Sequence, residues 1–344
     1  METSGNKKIA VIGAGIAGLS AGCYARMNGF DVEVFESHSE AGGLCTSWKR
    51  GDYIFDGCIH WLTGSAEDGQ FYPFWNELGA LKGKTIIDHD EFFRKEFHDG
   101  MVVRFFTDAD KLEEHLLFIS PPDEKLIRKF CDAVRKLSGF RVSMDKPFGM
   151  MGLFEVVKMI VSMMPYGKVM KFANEMTVAE FAEQFSSPYL RESFREMLSA
   201  DTMSMAAILF TFAGLHNGSS GYPVGGSLAF AKGIERRLTE LGGKVRYNTP
   251  VKEIRVDAGN ASGVILENGE EIPADYVISA MDLYTALEKL LGGRLKGSPY
   301  EKYFRNEKPF PSCVQVSLGV DMDFSNEPDY LTLSLPLEDP VSVG

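Results

Sequence analysis

The chain has 344 residues, 44% hydrophobic and 24% charged, the balance of a folded protein large enough for two cores and not of a disordered one. A formal net charge of −12 and a pI near 5.1 argue against nucleic acid as a partner, because neutralising phosphates needs a basic face. The five cysteines, Cys23, Cys45, Cys58, Cys131 and Cys313, are odd in number and irregular in spacing, so neither a disulfide framework nor a metal site is expected. They fit a reducing cytosol. The N-terminal "METSGNKKIAVIG" passes directly into a strand without the parts of an export signal, and the expected location is cytoplasmic.

"KKIAVIG" is a nearly continuous apolar run, as in a strand buried on both faces of a parallel sheet. It leads into "GAGIAGLSAGCYARMNGF", a glycine-rich turn and an amphipathic helix, and then into "DVEVFES", a second strand. In this βαβ unit Gly13, Ala14, Gly15, Ile16, Ala17 and Gly18 carry the G-x-G-x-x-G spacing. The first glycine permits the tight turn, the second lets backbone reach a pyrophosphate, and the third lets helix pack on strand. The helix N-terminus faces the anion. Glu36 ends the second strand, where an acid accepts hydrogen bonds from ribose hydroxyls, and an acid there disfavours the 2′-phosphate of NADP. Further on, "ESHSEAGGLCTSW" contains the pair Gly42 and Gly43, which marks a sharp turn or an unusually close backbone approach.

"EFFRKEFHDGMVVRFFTD" reads as a hairpin turning at "HDG", and residues 108–138 as helical, broken at "SPPD". Helix is expected to continue to about residue 212. "YPVGGSLAFAKGIERRLTELGGKVRYNTPVKEIRV" restores helix followed by strand, and "ASGVILENGEEIPADYVISAMD" reads as an Asn-Gly hairpin followed by a buried strand. The fold class is therefore α/β (α+β overall): a Rossmann-like dinucleotide domain with a largely helical domain inserted. The expected boundaries are 1–84 and 216–290 for the first domain, 85–215 for the insert, and a return to it over 291–344.

This succession resembles the phytoene desaturase and carotenoid isomerase branch of the FAD-dependent amine oxidase superfamily. The resemblance rests on the extended fingerprint Gly13, Gly15, Gly18, Gly22 and Gly29, on Gly42 and Gly43 followed by Leu44, Cys45 and Thr46, on "FDGCIHW" at 55–61, on the "GYPVGGSLAF" to "NTPVKEI" run, and on "ADYVISAMD". It implies FAD as cofactor, with Gly42, Gly43, Leu44 and Thr46 against the pyrophosphate and ribityl chain. It also implies that the backbone of Val251 lies at the adenine and that the strand reaching Ala280 returns to the cofactor. The implied reaction is hydride transfer between an apolar isoprenoid or polyene and flavin N5. A flavin amine oxidase and a non-catalytic nucleotide-binding protein are the alternatives.

No paired-carboxylate or His–Asp constellation stands out. His60, in the segment implied to lead to the flavin, is the candidate polar group near the ring, and a hydrogen-bonded structural histidine is its other reading. For Asp56 and Cys58 the plain readings are an acid bonding backbone amides and a small thiol. Eight of the sixteen methionines fall between Met144 and Met176, a composition suited to a flexible hydrocarbon. The segment 147–172 is too short and too charged to span a bilayer but suits a peripheral contact, or alternatively a core helix. Nothing in the sequence points to a particular oligomeric state. Because relatives of this type close over the pyrophosphate with a further glycine turn and helix, residues 1–344 are expected to be part of a longer protein.

Overall fold

A computed structural model describes residues 6–141, 146, 148–197, 203–306, 316–323, 327 and 331–333. The expectations for Met144, Pro147, Cys313 and the segment beyond 333 lie outside the described residues. The chain divides into two compact units: Met1–His60 with Pro73–Thr85 and Pro223–Asp321, and Trp61–Tyr72 with Ile86–Tyr222 and Met322–Gly344.

The first unit is built on β1 (Lys8–Ile12), α1 (Ile16–Met27) and β2 (Asp31–Phe35). Four parallel strands run in the order Lys244–Arg246, β2, β1, Tyr276–Ser279. β1 is central, and its last four residues are buried as its continuous apolar run requires. Ala10, Ile12 and Phe35 share a core with Ile254, Val264, Leu266 and Ile272 of an antiparallel sheet formed by Val251–Asp257, Asn260–Leu266 and Glu271–Pro273. A hairpin of β3 (Ser47–Arg50) and β4 (Tyr53–Asp56) follows the glycine pair. α1 lies close to the helix Gly226–Glu240, since a Cβ at Gly22 would stand 3.2 Å from a Leu238 methyl.

The second unit contains the expected hairpin, Glu91–Glu96 against Val102–Phe106, joined by the parallel strand Leu331–Leu333. Helices Ala109–Ile119 and Glu124–Ser138 match the expected helical stretch and its break. Met205–His216, apolar all round, is packed against Glu124–Ser138 as such a helix must be. The core is rich in phenylalanine: Phe105, Phe130, Phe181 and Phe194 meet with ring centroids 5.0 to 6.0 Å apart.

Three expectations need correction. Residues 61–72 and 216–222 belong with the second unit and not the first, because Leu62 and Thr63 pair with Gly221 and Ser220, a contact between stretches remote in sequence. Residues 291–321 belong with the first, where Arg294 is 2.9 Å from Glu253 and Leu291 packs on the core. The strand Tyr276–Ser279 is half-exposed, not buried, since it stands at the edge of the four strands among the described residues.

Candidate dinucleotide site

The loop between β1 and α1 is held by three backbone demands. Gly13 takes φ +97°, which an L side chain rarely adopts, and its N–H donates to the carbonyl of Phe35 at 2.8 Å. A Cβ at Gly18 would fall 2.0 Å from the Gly13 carbonyl oxygen, so the helix can follow the strand this closely only with glycine there. Gly15 begins α1 without a side-chain cap, and the first turn holds no acid. Ile16 and Ala17 open that turn, so their backbone amides belong to the anion-attracting end of the helix.

The glycine pair closes on this same loop. Gly15 and Gly42 form a parallel bridge, and the Gly42 N–H donates to the Ala14 carbonyl at 2.9 Å. Gly42 has φ +131° and Gly43 φ +60°; a Cβ on Gly43 would lie 3.2 Å from the Gly15 Cα. The two loops are thus opposed as bare backbone. Leu44 is 86% exposed, and its carbonyl accepts the Thr46 N–H at 2.9 Å. Ala280 supports the fingerprint from the other side: its N–H donates to the Ile12 carbonyl at 2.9 Å, and a Cβ on Gly13 would lie 3.2 Å from its carbonyl oxygen.

Glu36 joins these parts. One carboxylate oxygen accepts the Ala14 N–H at 2.7 Å and the other the His38 N–H at 2.8 Å. Its own N–H donates to the Arg246 carbonyl, and its carbonyl accepts the Thr249 N–H. Residues 246–249 therefore clasp Glu36, and two residues later Val251 begins its strand, packed on the core that contains Phe35. Tyr247 lies here too, its hydroxyl donating to Glu235; burial, that bond and nearby Glu36 raise its pKa. In the sequence Tyr247 carries no signal beyond its place four residues before Val251.

Asp56 has the plain role foreseen for it. Its carboxylate accepts the Ser227 N–H at 3.0 and 3.1 Å and so caps the helix Gly226–Glu240. Gly226 must be glycine, since a Cβ would lie 2.7 Å from that carboxylate. Ser227 in turn accepts the Ile59 N–H at 2.8 Å, fixing the segment that leads to His60. His60 is exposed and ends the first unit's opening stretch, while Trp61, in the second unit, meets Phe92 edge-on at 5.3 Å.

Residues 16–339 match the family of flavin containing amine oxidoreductases. The chain belongs to that family. It is 27% identical to a 4,4'-diapolycopene oxygenase of Methylomonas sp, covering 93% of this chain and 64% of that protein. It is 25% identical to a lycopene-forming phytoene desaturase of Paracoccus sp. (91% and 62% covered), and 26% identical to a prolycopene isomerase of Daucus carota (95% and 56%). The chain thus spans less than two thirds of the length of these relatives. Solved structures share the fold: an oxidoreductase from Methanosarcina mazei (TM-score 0.54, 21% identity, 87% and 64% covered) and a CLA-producing fatty acid isomerase from P. acnes (TM-score 0.51, 16% identity, 88% and 64% covered).

Proposed function

We propose that this protein is an FAD-dependent oxidoreductase that moves hydride between an apolar isoprenoid or polyene and the flavin. The observation that carries the cofactor reading is the pairing of Gly15 with Gly42, which opposes two side-chain-free loops beside an uncapped helix N-terminus. An extended dinucleotide needs such backbone both at its pyrophosphate and further along its length. The fit extends to Glu36, the acid a ribose requires. In this reading Gly13 to Gly18 hold the pyrophosphate, Glu36 accepts from the ribose, the Val251 backbone meets the adenine, and Gly42, Gly43, Leu44 and Thr46 follow the middle of the cofactor. When bound, FAD supplies the hydride chemistry, and the protein supplies position and exclusion of water. His60 is the proposed polar group toward the ring.

The substrate class is supported by the carotenoid-acting relatives and by the helix Leu153–Met163. None of its residues is buried, which favours the peripheral reading of this stretch over the core-helix one. Among the described residues no helix is long and apolar enough to cross a membrane. A peripheral contact of this face would bring a lipid-dissolved substrate to the protein.

The test is to titrate the chain with FAD and with NADP, photoreduce the FAD-bound protein without oxygen, and add polyene or amine separately. Saturable FAD binding and reoxidation by the polyene alone are expected. Preference for NADP would overturn the cofactor reading, and reoxidation by amine alone the substrate reading.

A further inference from the structure

Cys45 and Cys58 stand opposite each other at the open end of the β3–β4 hairpin. Ser47 pairs with Asp56, and the Gly57 N–H donates to the Thr46 carbonyl at 3.0 Å, so the next opposed positions are 45 and 58. The two side chains are close enough for Cys58 to raise the Cys45 pKa, after the larger effect of burial. Both are free thiols, Cys58 exposed and Cys45 half-buried. Directly opposed strand positions hold their Cα atoms about 4.5 to 5.5 Å apart, within the span a disulfide bridges.

We propose that Cys45 and Cys58 are a reversible dithiol–disulfide pair that, when oxidised by a hydroperoxide, clamps the Gly42–Thr46 loop to the end of β4. The first nucleophile is Cys58, the exposed member of the pair. As thiolate it attacks one peroxide oxygen, the O–O bond breaks, and water leaves after taking up a proton; Cys58 becomes a sulfenic acid. The Cys45 sulfur then attacks the Cys58 sulfur, the S–O bond breaks, and a second water leaves carrying the Cys45 proton. Two thiols lose two electrons and two protons, and one hydrogen peroxide becomes two waters. Burial, then Cys58 and Asp56, push the Cys45 pKa up to about 12, so Cys45 enters as the resolving thiol and not as the initial nucleophile.

The clamp acts on the cofactor loop because of what that loop touches. The Cys45 N–H donates to the Gly42 carbonyl at 3.0 Å, and Gly42 is bonded to Ala14 of the fingerprint. A disulfide removes freedom from the segment between the cysteines, which includes the β3–β4 hairpin, and holds the glycine pair in its bridged position. Oxidation should therefore slow both uptake and release of FAD. The bond is independent of the FAD reading, and only this consequence rests on it.

The full chain, reduced and then treated with hydrogen peroxide, is acid-quenched, alkylated and digested with trypsin without reductant. The expected product is the peptide 27–49 linked to 51–82, lighter by two hydrogens and separated by dithiothreitol. FAD release, followed by fluorescence, should be several-fold slower in the oxidised protein, and Cys58→Ser should lose both the link and the slowing. A Cys58 sulfinic or sulfonic acid beside an alkylated Cys45, or a link to another cysteine, would overturn the pair. A correct link with unchanged release, or slowing that persists in Cys58→Ser, would overturn the clamp. Failure of the reduced chain to bind FAD would count against the cofactor reading and leave the linked peptides to decide the disulfide.

Discussion

Gly42 donates its N–H to the carbonyl of Ala14 and pairs with Gly15, so the glycine pair meets the fingerprint loop backbone to backbone. Three Gly→Ala substitutions should then rank by space. Gly29 has φ +83° but nothing within 4 Å of a Cβ, so only the left-handed cost of about 1–2 kcal/mol applies. Gly42→Ala adds a Cβ 2.3 Å from the Cys45 carbonyl oxygen, and Gly18→Ala one 2.0 Å from that of Gly13. Thermal melting should show Gly29→Ala mildest. FAD titration should show weakened binding only in the other two; equal affinities in all three would remove the loops from the site.

Glu36 holds the Ala14 and His38 amides, so its loss acts on the loop as well as on the proposed ribose contact. Glu36→Ala should weaken FAD binding by one or two charge-assisted hydrogen bonds, each worth about 1.5–3 kcal/mol. Glu36→Gln keeps one acceptor oxygen and should fall between. Unchanged FAD affinity in Glu36→Ala would show that the ribose is held elsewhere.

These two sites differ in how far the sequence reveals them. Gly13 to Gly18 and Glu36 are legible because their demands are local: strand, turn, helix and acid follow one another within a single βαβ unit. Gly42 and Gly43 announce a close approach but not its partner, since φ above zero tells nothing about what lies opposite. Asp56 is less legible still. Its partner, the Ser227 N–H, lies far along the chain, and a lone acid after a strand carries no sign of a remote helix cap. The methionine-rich composition around Leu153–Met163 likewise suits an apolar surface, but does not tell that this surface faces outward. The edge position of Tyr276–Ser279 follows from sheet order, which short apolar runs do not encode.

Lys95 is fully buried, on the same side of its strand as Phe93, and salt-bridges Glu192 at 2.8 Å and Glu196. The carboxylates are 46% and 41% exposed, which makes the pair asymmetric. Glu192→Gln with Glu196→Gln strands a buried cation and should cost about 3–5 kcal/mol. Lys95→Met removes the buried charge, keeps most of the volume and leaves two solvated acids, so it should cost far less. Denaturant midpoints decide; the reverse order would mean that Lys95 itself carries the stabilisation.

His115 accepts the Arg104 N–H through Nε2 at 2.9 Å, which only the neutral ring can do. Burial, then the Arg104 guanidinium, lower its pKa below 6.5, with Glu91 opposing. A folded pKa below the unfolded value means that the unfolded chain binds the extra proton first. The contribution is present above pH 6.5 and is lost as pH falls through the lowered folded value. Melting temperature should therefore drop more for wild type than for the non-titrating His115→Gln over that window. Parallel curves would assign the acid sensitivity to other groups.

The helix Leu153–Met163 and Met164 after it present Leu153, Phe154, Val157, Ile160, Val161 and Met164 to solvent, with exposures from 49% to 84%. At 100° per residue these positions fall on one stripe, flanked by the exposed Lys158, with Lys168 and Lys171 in the next helix. Such a stripe suits an interface in which apolar side chains enter the acyl boundary and lysines meet anionic headgroups, each worth about 1 kcal/mol near the surface. Flotation with vesicles of zwitterionic and anionic phospholipid should carry the wild type upward, and less so without the anionic lipid. Phe154→Glu with Ile160→Glu places charge on the stripe at sites 82% and 54% exposed, so folding should be little affected while flotation is lost. A wild type that never floats would overturn the membrane contact. A double variant that melts far below the wild type would show instead that this face is covered by protein.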